Sequence, residues 1–129
     1  PAGYNGPPPK EQPEAFINRY LEAHNGGNVL GALSLVHFAG TPDFLKRIHV
    51  ENFEGDFQFE VKSVKFLPPE KDLKTAFEMD GTRYVMNLVP FAQMHVEFEP
   101  VAGSPHTGVT YPIGVHEGTF KIISARPVQ

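Results

Sequence analysis

The 129 residues contain no cysteine. That absence removes disulfides, thiol nucleophiles and zinc–thiolate sites together. It leaves the compartment open, because a chain without cysteine folds equally well in oxidising and reducing surroundings. Tryptophan is also missing, whereas eleven Phe and four Tyr are present, so the core is expected to be built around phenyl rings. No apolar run approaches the roughly 20 residues of a membrane span, and no signal-peptide hydrophobic stretch occurs. Positive charge is in the minority: 11 Lys and Arg against 15 Asp and Glu give a net charge of −4 and a pI near 5.8. The basic residues are scattered, with no run to follow a phosphate backbone, so no nucleic-acid partner is expected.

Familiar catalytic signatures are lacking as well. There is no G-x-x-x-x-G-K-[ST] and no G-x-G-x-x-G, which excludes nucleotide binding by the common phosphate loops. Ser34, Ser63, Ser104 and Ser124 do not stand in a G-x-S-x-G elbow. The six histidines show no H-x-x-x-H spacing, so a zinc enzyme is not expected, and no cofactor is expected either.

What is present reads as one domain with a Pro-rich lead. Residues 1–13, "PAGYNGPPPKEQP", hold five Pro and two Gly and no periodic apolar pattern. Such a segment favours extended polyproline-like backbone, as a flexible spacer or a plain chain end. A spacer before a compact domain fits an exported protein of the periplasm or cell envelope, with a lipid tether upstream of residue 1. The missing Met fits a mature or truncated form, or simple Met removal.

From residue 14 to 129 a single α+β domain is expected. Phe16, Ile17, Tyr20, Leu21 and His24 recur at the spacing of one helical face, with Pro13 in the first turn and Gly26–Gly27 as the stop. Asn28 is placed to cap a second helix, "VLGALSLVHF", burying Val29, Leu30, Leu33, Val36 and His37. Thr41–Pro42 signals a third, with Phe44, Leu45, Ile48 and Phe53 facing inward. After Gly55 the period changes to two. "DFQFEVKSVKFLPP" reads as a strand with a bulge near Lys62–Ser63. Hairpins are expected about Asp80–Gly81 and Glu117–Gly118, with "FAQMHVEFEP" a strand between them. Pro112 should lie at an edge or a bulge.

Helices first and antiparallel strands after give three N-terminal helices packed on one mainly antiparallel sheet. "PEAFINRYLEAHNGGNVLGALSLVHF", a third helix and the run of strands resemble the nuclear transport factor 2-like superfamily, which includes polyketide-cyclase-like and ketosteroid-isomerase-like proteins. The likeness extends over residues 14–126. It takes in exported bacterial members with "LVHFAGTPDFLKR" and "VEFEP…YPIGVHEGTFKI" in corresponding places. It implies a strongly curved sheet, a cone with an internal pocket, and frequent homodimers formed through the sheet. Catalytic members place a short strand between helices two and three, where this chain has only "HFAGTP", so no catalytic residue carries over.

The most suggestive polar run is "MHVEFEP". Strand alternation puts His95, Glu97 and Glu99 on one face and Met94, Val96 and Phe98 on the other. Three readings stay open: a wet strand face, a polar pocket lining with His95 and Glu97 in proton transfer, or part of a metal site lacking a third ligand. Residues placed to line a pocket are Tyr20, His37, Phe44, Tyr84, Phe91 and Tyr111. His24 and His49 read as surface or boundary positions, His106 as part of a polar loop, and "ENFEGDFQFE" as a solvated face. The function expected is a noncatalytic domain binding a small apolar ligand or a protein. The alternatives are a cofactor-free isomerase, cyclase or dehydratase, and a homodimerisation module.

Overall fold

The computed structural model describes residues 3–128; the first two residues of the Pro-rich lead and Gln129 lie outside the described residues. Helix α1, Pro13–Asn25, begins on a proline that has no amide to leave unpaired and ends at Gly26 and the left-handed Gly27. Its Phe16 and Tyr20 are fully buried. Helix α2, Val29–Leu33, is capped by Asn28, whose side chain accepts from the Gly31 amide at 3.0 Å.

α2 stops at Leu33, short of the expected run to Phe38. The Ser34 hydroxyl turns back to the Gly31 carbonyl. Val36–His37 then becomes strand β1, paired in parallel with Ile122 and Ile123. The Leu35 carbonyl receives the Ile122 amide at 2.8 Å. A strand therefore does stand between the second and third helices. Its helical spacing is overridden by tertiary context, since the sheet edge at Ile122 and Ile123 pairs this backbone while Leu35 and Val36 are buried.

Helix α3, Asp43–Asp56, has Pro42 rather than Thr41 as its N-cap; Thr41 is buried with its hydroxyl toward Asn87. Leu45 and Phe53 face inward as expected, while Phe44 and Ile48 stay 39% and 38% exposed. The helix also takes in residues read as the start of a strand. Phe57 donates to the Phe53 carbonyl, and Gln58 and Phe59 close a tightened exit turn on Gly55 and Asp56. A two-step F-x-F alternation is too short to separate strand from helix exit.

Seven further strands follow: β2 Val61–Leu67, β3 Ala76–Met79, β4 Thr82–Met86, β5 Ala92–Phe98, β6 Gly108–His116, β7 Thr119–Ile123 and β8 Ala125–Pro127. The register shifts between Val61 and Ser63, at the expected bulge. Both hairpins turn on residues of positive φ, Asp80–Gly81 and Glu117–Gly118.

The strands form two sheets rather than one. The larger runs β1-β7-β6-β5-β2 and is mixed because of β1; the smaller runs β3-β4-β8. The chain passes from one to the other at Ser124, where Asn87 and Ser124 are bonded reciprocally: Asn87 N–H to the Ser124 carbonyl, and Ser124 N–H to Asn87 Oδ1, each at 3.1 Å. The main core lies between α1 and the inner face of the larger sheet, where Met94, Val96, Phe98, Ile113, Phe120 and Ile122 are at most 2% exposed.

The Pro-rich lead does not stand apart from the domain over its described part. Tyr4 packs edge-on against Phe91 at 5.5 Å. The Lys10 and Glu11 amides donate to the Gly118 carbonyl. One Glu11 oxygen accepts from the Phe120 amide at 3.0 Å, and the other pairs with Arg19 at 2.7 Å.

Candidate functional site

Unequal strand lengths create the site. β6 pairs with β7 only over Ile113–His116, because β7 ends at Ile123 and the chain leaves for the second sheet. Residues 108–112 of β6 therefore have β5 on one side and no strand on the other. Pro112 sits one residue beyond that ladder, within a central strand but where no amide is needed. Across the open edge lies α3. Between them is a half-open cleft of about 330 Å³.

Its floor is apolar, from Phe53, Val109, Ile122 and Ile123; its polar wall is His49, Asn52, Asp56, His106 and Tyr111. The backbone contributes as well. Phe98 N–H bonds the Thr107 carbonyl, which fixes Phe98–Thr107 as a hydrogen-bonded rung. Rungs alternate in an antiparallel ladder, so Thr110, three residues on, directs its N–H and C=O away from β5 and toward the cleft side.

Asp56 is the central group. It is the last residue of α3 and only 7% exposed. Its Oδ1 meets His106 Nε2 at 3.1 Å, and its Oδ2 accepts from the Tyr111 hydroxyl at 3.0 Å. A buried carboxylate needs such donors, since an unpaired one is costly to take out of water. The His106 ring lies against Phe59 at 4.9 Å and Phe98 at 5.2 Å, while the side chain remains 40% exposed at the cleft. With Nε2–H committed to the carboxylate, Nδ1 is the nitrogen left to accept a proton or a hydrogen bond.

Behind Asp56 the polar contacts continue inward. The Tyr111 hydroxyl lies 3.4 Å from that of Tyr20, which lies 2.9 Å from His24 Nδ1; His24 Nε2 lies 2.7 Å from the Phe59 carbonyl. Burial holds both tyrosines above the ordinary phenol range. At Tyr20 the neighbouring Tyr111 hydroxyl opposes that rise, whereas at Tyr111 the proximity of Tyr20 and Asp56 adds to it. His49 bonds Ser124 Oγ at 2.8 Å, and burial pushes its imidazole below its ordinary value.

The residues singled out from sequence distribute unevenly. Tyr111 lines the cleft and Tyr20 stands directly behind it. His37 is on β1, facing His116 at 4.6 Å; burial, His116 and Lys121 lower its proton affinity. Tyr84 is buried in a second small cluster with Leu45 and Ala125, between Phe44 and Phe77. Phe91 packs on Phe120. His95 and Glu97 lie on the outer, half-exposed face of β5. His95 bonds Thr110 Oγ1 at 2.8 Å, Glu97 bonds Ser63 Oγ at 3.1 Å, and the two are not bonded to each other.

No protein family, curated protein or solved structure matches this chain. The site is therefore read from its own residues. Sequence reasoning missed Asp56, His106 and Asn52, and it placed His24 at the boundary although it is 3% exposed. Asp56 stands in the segment "ENFEGDFQFE", which by sequence reads as a solvated face. The available signal was its place at a helix exit among Phe53, Phe57 and Phe59. His106 pairs with it across 50 residues of chain, a relation no local pattern carries. Among the described residues no helix is long and apolar enough to cross a membrane.

Proposed function

We propose that the protein is a small-ligand-binding domain whose site is the cleft between α3 and the open edge of β6. The observation that carries this reading is an apolar floor meeting a buried, doubly bonded carboxylate at one end of a cleft of about 330 Å³. Small-molecule sites combine a mostly apolar concavity with a few fixed polar groups, commonly from about 300 Å³ upward. A ligand of this class has an apolar body over Val109, Ile122 and Ile123 and a polar end that meets His106 and the Thr110 backbone. The likeness to nuclear transport factor 2-like cones belongs to the same proposal, with the sheet curved around the site, as do export to the cell envelope and a homodimer.

The test uses phenol as an apolar probe with one polar end, followed by amide NMR on the full chain. Saturable shifts at Phe53, Val109 and Ile123 are expected. Asn52→Trp places a large ring at the exposed rim and should abolish them without loss of fold. Unchanged shifts in that variant would place the probe elsewhere and reject the cleft.

The Asp56–His106 pair favours a second reading, a cofactor-free enzyme in which His106, oriented by Asp56, exchanges a proton with the ligand. Turnover by the wild type that is lost in His106→Gln, with probe binding retained, would separate this reading from binding alone.

A further inference from the structure

Four side chains run in single file from the cleft into the core: Asp56, Tyr111, Tyr20 and His24. Three gaps join them, of 3.0, 3.4 and 2.9 Å in that order. Each gap needs one proton to become a hydrogen bond. The Phe59 carbonyl can only accept, so His24 Nε2 carries a hydrogen and neutral His24 presents a bare Nδ1 to Tyr20. Asp56, as a carboxylate, supplies none. The two phenols supply one each. Burial keeps both in place. Tyr111 gives its proton to Asp56 and Tyr20 gives its proton to His24, so two protons serve three gaps. The gap left without one is Tyr20–Tyr111. It is the longest of the three, as two oxygens facing each other without a hydrogen should be.

We infer that His24, Tyr20, Tyr111 and Asp56 form a binding site for one proton, taken up by the chain as a unit and reaching the cleft at Asp56. One added proton completes every gap in either of two ways. On Asp56 it is donated to Tyr111, Tyr111 donates to Tyr20, and Tyr20 to His24. Moved inward, Asp56 gives its proton to Tyr111, Tyr111 passes its own to Tyr20, and Tyr20 passes its own to His24 Nδ1. The end state is a carboxylate and an imidazolium, with each tyrosine still holding one hydrogen. Only O–H and N–H bonds are exchanged, and nothing is oxidised.

Two further titratable groups face these four, His106 at Asp56 and His49 along the cleft. α1 contributes Tyr20 and His24, α3 contributes Asp56 and, along the cleft, His49; β6 contributes Tyr111 and the 99–107 loop His106. The rings of Phe57 and Phe98, which flank His24, are uncharged. His106 touches Asp56 from the cleft and is the route by which a proton enters. The inference stands whether or not a ligand occupies the cleft.

The experiment is a pH titration of the full chain carrying ¹⁵N-histidine and ¹³C-aspartate. In the wild type, His24 Nδ1 and the Asp56 carboxyl carbon are expected to respond in one common step that totals one proton. In Tyr20→Phe, which keeps the ring and removes the link, the two responses should separate. Tyr111→Phe cuts the chain at a second point and should do the same. Two independent steps in the wild type, or a response at one end alone, would overturn the inference. So would a common step that survives both substitutions.

Discussion

At the scale of single residues, position in the tertiary structure sets the chemistry of each histidine. His49 and His106 line one cleft, but His49 faces a serine hydroxyl and His106 a carboxylate. Burial lowers the His49 proton affinity, so the unfolded chain binds a proton there more readily than the folded one. The stability that neutral His49 contributes is present above the unfolded value of about 6.5 and is lost as pH falls through its lower folded value. Gln at this position keeps a partner for Ser124 and does not titrate. Equilibrium urea unfolding of His49→Gln is therefore expected to fall less steeply between about pH 7 and 5 than that of the wild type. An unchanged slope would show that this histidine is not among the groups setting acid stability.

At the scale of elements, the Pro-rich lead and the short strand β1 show how a neighbouring segment overrides local preference. Residues 10 and 11 bond the Gly118 carbonyl, and Glu11 supplies the acceptor for the amide of Phe120, a residue 1% exposed. Without that carboxylate the amide has no partner in the strap. Glu11→Ala is expected to cost about 1–3 kcal/mol, the range for an unsatisfied buried donor, as a lower urea midpoint. A change below about 0.5 kcal/mol, typical of an unremarkable surface site, would mean that the strap does not hold.

At the scale of the whole molecule, the chain crosses between the two sheets at Ser124, and Asn87 ties that crossing to its surroundings. Its side chain donates to the carbonyls of His37 and Ala39 and accepts from the amide of Ser124, linking β1, the loop before α3 and the crossing between sheets. Asn87→Ala removes these three bonds together with the one from Nδ2 to Thr41 Oγ1. A loss of about 2–3 kcal/mol follows from the amide of buried Ser124 and the half-buried His37 carbonyl it leaves unpaired, with a single transition retained because both sheets share the crossing. Two resolved transitions in calorimetry would instead show that the sheets unfold independently.

Much of this organisation was legible in the sequence because it is written in local periodicity and turn chemistry. The burial of Phe16 and Tyr20 follows from 3.6-residue spacing, and the alternation of Met94, Val96 and Phe98 follows from the two-residue strand period. Both hairpins follow from X-Gly pairs that tolerate positive φ. The sequence by itself determined the α+β class, the starts of α1 and α2 and the faces of the later strands. Tertiary structure alone decided that "VH" leaves a helix to pair with β7, that the strands divide at Ser124, and that β7 ends before β6 does. It also brought Asp56, His106 and Tyr111 together from three separate parts of the chain. Local rules fix how neighbours along the backbone are oriented. A cleft and its hydrogen-bond chain arise from where distant elements stop, which depends on packing summed over the whole domain.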